Sequence, residues 1–179
     1  MTTDHQMVAL PRASLLALNA ALLREAGAVS AGYLQEAGYA ASESLFGAFT
    51  EWAAARGAAS PADAPIDEFH AQMRDFFAEC GWGTLDANSL GDDLLTLDSS
   101  AWGESDPALA LEHPSCHLST GMFAGLLEQV GGEPLAVLEV ECRSAGSARC
   151  RWLVGSPSVL GAVYEKMARG EDYAAAATA

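Results

Sequence analysis

The sequence predicts an α+β fold, an antiparallel four-stranded sheet packed with about five helices. Three observations lead there. Apolar residues recur at three- and four-residue steps through the first eighty positions. Two later stretches form short apolar runs around Gly-containing turns. A helical period returns between those two ribbons and again after the second.

In chain order, Pro11 marks the start of a first helix, in which Leu15, Leu18 and Leu22 share a face. A longer helix is expected from Ser30 to Arg56, where Leu34, Gly38, Ala41, Leu45, Ala48 and Trp52 form one stripe, with Gly38 and Ala41 small enough to admit another backbone. Gly57 to Pro65 is a turn-forming linker. Asp67 and Glu68 then oppose the dipole of a third helix carrying Ile66, Phe69, Met73, Phe76 and Cys80 on one side. A hairpin is predicted around Ser89 to Asp92, and a helix over Leu118 to Val130 stopped by Gly131 and Gly132. Leu135 to Cys142 reads as a strand apolar on both sides, hence central. Gly146 turns it into a strand with Cys150, Trp152 and Val154 inward, and Pro157 opens a last helix. These elements make one domain over 11–170, between a flexible N-terminus (1–10) and a disordered tail (171–179).

At 179 residues and 18.6 kDa the chain can bury a substantial core. Half of its residues are hydrophobic and 18% charged, which fits a globular protein with an apolar cavity or an oligomer interface. Its net charge of -15 excludes nucleic acid and anionic membrane as partners, because both require a basic footprint. Membrane insertion is not expected, since no apolar run approaches a span. Met1 to His5 lacks the basic start and apolar core of a secretory signal, so a cytoplasmic location and reduced thiols are expected.

Cys116, Glu139, Cys142 and Cys150 have a spacing that a bound metal would explain, since zinc favours sulfur ligands with an occasional carboxylate. Pairing about Gly146 sets Cys142 opposite Cys150, within reach of one ion or of a disulfide. On a regular strand positions 139 and 142 face opposite ways, so Glu139 requires a bulge near Val140 to Cys142. Without one, Glu141, His117 or water is the fourth ligand. Arg143, Arg149 and Arg151 are placed to offset a buried anionic cluster, or to form a solvated strand face.

His113 to Gly155 resembles the 4-vinyl reductase domain family, which includes the sensor domains of phenol- and xylene-responsive bacterial regulators. The likeness rests on Pro114-x-Cys116, Gly121 and Gly125, Glu139-x-x-Cys142, and then Gly146 and Cys150. It covers about a quarter of the chain. The resemblance implies structural zinc on Cys116, Glu139, Cys142 and Cys150, and an architecture shared with small subunits of the TRAPP trafficking complex. It further implies an internal pocket for a hydrophobic small molecule, whether an aromatic, a hydrocarbon or a tetrapyrrole. Suitable lining residues are Phe69, His70, Met73, Phe77, Trp82, Trp102, Met122, Phe123 and Trp152, with His70 and Trp102 as polar anchors.

The family name raises a reductase, or an accessory protein, acting on the 4-vinyl group in chlorophyll biosynthesis. No G-x-G-x-x-G follows a strand and no Cys-x-x-Cys is present, so no catalytic residues are assigned and a binding domain is preferred. The expected partners are a hydrophobic ligand, a second copy in a homodimer and a downstream protein. A dimeric scaffold without ligand is the further alternative.

Overall fold

The computed structural model describes residues 7–178. Among them, six helices of 11 to 15 residues and one of six surround a single sheet. In order these are α1 (Arg12–Ala26), α2 (Ser30–Ala40), α3 (Ser42–Ala54), α4 (Ile66–Glu79), β1 (Asp86–Leu90), β2 (Leu94–Ser99), α5 (His117–Gly131), β3 (Ala136–Glu141), β4 (Cys150–Gly155), α6 (Pro157–Ala168) and α7 (Tyr173–Thr178). The sheet runs β1-β2-β4-β3 with every neighbouring pair antiparallel.

Strand alternation gives the sheet two unlike faces. Leu97, Cys150, Trp152 and Val154 join the main core with residues of α3, α4 and α5. Leu94 and Leu153 join a second cluster with Leu160, Val163 and Ala176 from α6 and α7. On the inner side α2 lies directly against α5, because both helices present glycine at the contact. A methyl group built on Gly121 would overlap the Gln35 carbonyl oxygen, and one on Gly38 would overlap that of Leu118. Backbones this close hold the first turn of α5 in a fixed place.

Three expectations are corrected. The helix foreseen from Ser30 to Arg56 is two helices, broken at Ala41, whose N–H bonds back to Gly38 at 3.2 Å. Both halves pack on α5, so the apolar stripe runs through the break and conceals it. β3 is an edge strand rather than a central one, and it is apolar on both sides because α5 covers one face and α6 the other. The tail expected to be disordered forms α7, with Ala176 buried at 3% exposure. Of the N-terminal stretch, residues 7–10 carry no regular structure and the remainder lies outside the described residues.

Candidate metal centre and aromatic cluster

Cys116 is the residue that caps α5, Glu139 lies on β3, Cys142 follows that strand and Cys150 opens β4. The β3–β4 register pairs Glu139 with Trp152 but Glu141 with Arg151, so β3 spends two residues where β4 spends one. This is the bulge that a Glu139 donor requires, and it brings Glu139 and Cys142 to the same side. Beyond it the chain tightens around the Cys142 carbonyl, which accepts the N–H groups of Ala145 and Ser147, both at 3.0 Å.

One donor atom from each of the four residues lies within 4.8 Å of all the others, and all four side chains are buried. The Cys116 sulfur stands 3.8 Å from that of Cys142 and 3.8 Å from that of Cys150. Tetrahedral zinc with Zn–S bonds of about 2.3 Å requires sulfurs about 3.8 Å apart. The thiols are free, so the disulfide alternative is not the state seen. Glu139 accepts the Cys116 N–H on Oε2 at 2.8 Å, while its Oε1 is buried without a partner. An unmet carboxylate oxygen facing three sulfurs is what a cation would satisfy.

The electrostatics agree. Burial, reinforced by the Cys142 sulfur, pushes the Glu139 carboxyl up to about 9. Hydrogen bonds from Cys116 and Cys150 hold the Cys142 thiol well below its ordinary value, and the same bond to Cys142 holds Cys116 above. Without a cation the cluster therefore keeps most of its protons around one thiolate. With one, those protons leave.

The other candidate donors are directed elsewhere. Glu141 takes two bonds from Arg149, at 2.9 and 3.1 Å, and one from the Tyr173 hydroxyl. His117 is half-buried beside a small cavity near Glu104 and Asn19, and burial lowers its pKa. The arginines do not balance the thiols: Arg149 and Arg151 are held by Glu141 and Asp98, and Arg143 reaches the Ser105 hydroxyl at 3.5 Å.

Sequence reasoning missed Glu104. Its carboxylate, 3% exposed, accepts the N–H groups of Leu118 (3.0 Å) and Ser119 (2.8 Å), the Ser119 hydroxyl, and Asn19 Nδ2 at 3.2 Å. It caps the helix that Cys116 begins, from a loop well upstream. Burial outweighs these bonds and pushes its pKa up to about 7. No local spacing signals such a distant cap.

Of the expected pocket residues, Phe69, Met73, Phe77, Trp102, Met122, Phe123 and Trp152 meet in the main core. The ring of Trp102 lies 5.7 Å from Phe77, 5.3 Å from Phe123, 5.7 Å from Trp152 and 5.5 Å from Trp82, which stacks on it from the half-buried margin. His70 stands apart, on the wall of an open, largely polar cleft of about 540 Å³ that also holds Asp67, Arg74, Asp86 and Asp98. Its Nε2 is buried without a partner. Trp102, expected as a free anchor, instead donates its indole N–H to the Ser119 hydroxyl at 2.6 Å. Trp152 donates to Thr120 (3.2 Å), whose hydroxyl donates to the Cys116 carbonyl at 2.9 Å. The aromatic cluster and the thiol cluster thus share the first turn of α5.

Residues 104–156, which contain all four clustered donors, match the family model of the 4-vinyl reductase domain. This segment carries that family's pattern. No curated protein matches the chain. Among solved structures, the phenol-responsive sensory domain of the transcription activator PoxR with phenol aligns at a TM-score of 0.65 and 17% identity, over 84% of this chain and 76% of that one. Trafficking protein particle complex subunit 3 from Naegleria fowleri, covalently bound to palmitic acid, aligns at 0.59 and 14%, over 80% and 91%. A vinyl-4-reductase family protein from Methanocaldococcus jannaschii aligns at 0.49 and 21%, over 68% and 66%. Over most of its length, well beyond the 4-vinyl reductase segment, the chain shares its fold with the first two. Among the described residues no helix is long and apolar enough to cross a membrane.

Proposed function

We propose that the protein is a zinc-stabilised binding domain that holds a hydrophobic small molecule and acts as a sensor or carrier. The observation that carries this reading is the buried set of three thiols and one carboxylate, with two sulfur separations of 3.8 Å and one orphaned carboxylate oxygen. Cys116, Glu139, Cys142 and Cys150 would hold the ion, and a four-ligand site of this kind supplies structural cross-linking rather than chemistry. It would tie the β3–β4 ribbon to the start of α5, and through Thr120 and Ser119 steady the two tryptophans.

The ligand would occupy the aromatic cluster between α4, α5 and the sheet by displacing side chains. Phenol in the PoxR domain and palmitic acid in the trafficking subunit support an apolar guest. An apolar groove of about 450 Å³ beside Phe69, Leu127, Val130 and Leu135 offers a way in. The pocket residues keep the roles expected of them, except that Ser119 already holds the Trp102 N–H and His70 would have to turn inward to anchor anything.

A homodimer through α1 belongs to the same reading. This 15-residue helix is made mostly of leucine and alanine but buries no residue fully, and Leu18 is 51% exposed. The output would pass to a protein partner in the cytoplasm.

Native mass spectrometry before and after denaturation tests the core of this. About one zinc per chain, lost on unfolding, is the expected result. Protein prepared with ample zinc that carries none would overturn the reading.

A further inference from the structure

The outer face of the sheet carries a charged network that neither metal nor ligand binding uses. Arg151 lays two bonds of 2.6 Å on Asp98. Arg149 lays two on Glu141 and approaches Asp98 at 3.5 Å. Tyr173, the first residue of α7, completes it: its hydroxyl donates to Glu141 and accepts from Arg151 Nη1 at 3.2 Å. Three members of this network adjoin sulfur donors in sequence. Glu141 precedes Cys142, and Arg149 and Arg151 flank Cys150.

The rest of the α7 docking is slight. The helix has six residues, far below the length at which an isolated helix persists in water. It buries Ala176 against the cluster of Leu94, Leu153, Leu160 and Val163, and Lys166 Nζ donates to the Ala176 carbonyl at 3.1 Å. Its orientation is therefore set largely by where the ribbon holds Glu141 and Arg151. Those positions are fixed only while the thiols beside them converge.

We propose that α7 is a reporter of the metal centre, docked through Tyr173 while the ribbon is cross-linked and released when the donors part. The proposal rests on the metal reading above. It names a two-state element biased by a distant site, which is the physical requirement for coupling.

Hydrogen exchange measured by mass spectrometry on zinc-loaded and chelator-stripped protein decides it, with metal counted in each sample. Stripping should speed exchange in α7 about ten-fold while α4 is unchanged. Tyr173→Phe should exchange at the stripped rate even when loaded, yet keep about one zinc per chain. Zinc binding with no change in α7 would overturn the coupling and leave the metal reading intact. Failure to take up zinc would overturn both. Equal acceleration in α4 would mean general loosening and would also overturn the proposal.

Discussion

At the scale of single residues, the centre depends on donors that are costly to bury and therefore informative when mutated. Cys142→Ser replaces the sulfur that carries the cluster's thiolate, so zinc content should fall below one-tenth of the original. Melting should drop with it by about 10 °C, a loss on the order of 4 kcal/mol, as expected for removal of a structural ion. Retained zinc with an unchanged melting point would count against the centre. Glu104 gives a prediction in pH. Its folded pKa, about 7, lies above the ordinary carboxylate value, so the folded state binds the extra proton between roughly pH 4.5 and 7. Its contribution is fully present below that window and is lost as pH rises through 7, with a slope of about 1.4 kcal/mol per pH unit. In metal-free protein, denaturant titrations of Glu104→Gln should lack this slope while that due to Glu139, which extends to higher pH, remains. An unchanged pH profile would remove Glu104 from the account. The cysteines were legible in the sequence because thiols are rare and their spacing is specific. Glu104 was not, because its partners lie at the start of a helix far along the chain.

At the scale of elements, the metal donors are held by contacts with different visibility in sequence. The bulge in β3 could be inferred, since Glu139 and Cys142 cannot share a face on a regular strand. The glycine contact between α2 and α5 was also legible, as small residues at helical spacing. Gly121→Ala should separate the two helices and cost on the order of 3 kcal/mol, because the added methyl overlaps the Gln35 carbonyl oxygen and the obstruction is backbone. Chemical denaturation would check this, and a cost under about 1 kcal/mol would show that the helices slide apart freely. The break at Ala41 and the edge position of β3 were not legible. Periodicity reports which face is buried but not whether the axis bends, and a strand covered by helices on both sides reads as central wherever it sits in the sheet.

At the scale of the molecule, element order pointed to the α+β class, yet it gave no warning that the aromatic residues would close on one another. Phe77, Phe123, Trp102 and Trp152 lie ring against ring, so an apolar guest must repack them. Titration with phenol should therefore change tryptophan fluorescence and raise the melting point, as any ligand preferring the folded state must. Trp102→Ala should weaken that response at least ten-fold, and a response untouched by this substitution would move the guest elsewhere. For the assembly proposed through α1, Leu18→Glu should convert a dimer to a monomer in sedimentation, whereas a wild-type protein that sediments as a monomer would dismiss the interface.

The two-for-one count in β3 has a consequence for insertions and deletions. With Val140 removed, Glu139 and Glu141 would become neighbours, still opposite Trp152 and Arg151, and the carboxylate would stay on the cysteine side of an unkinked ribbon. What the fold requires there is parity, not spelling: a chain one letter shorter keeps its donors gathered, whereas a letter added or taken between Cys142 and Cys150 is tolerable only because a loop absorbs it.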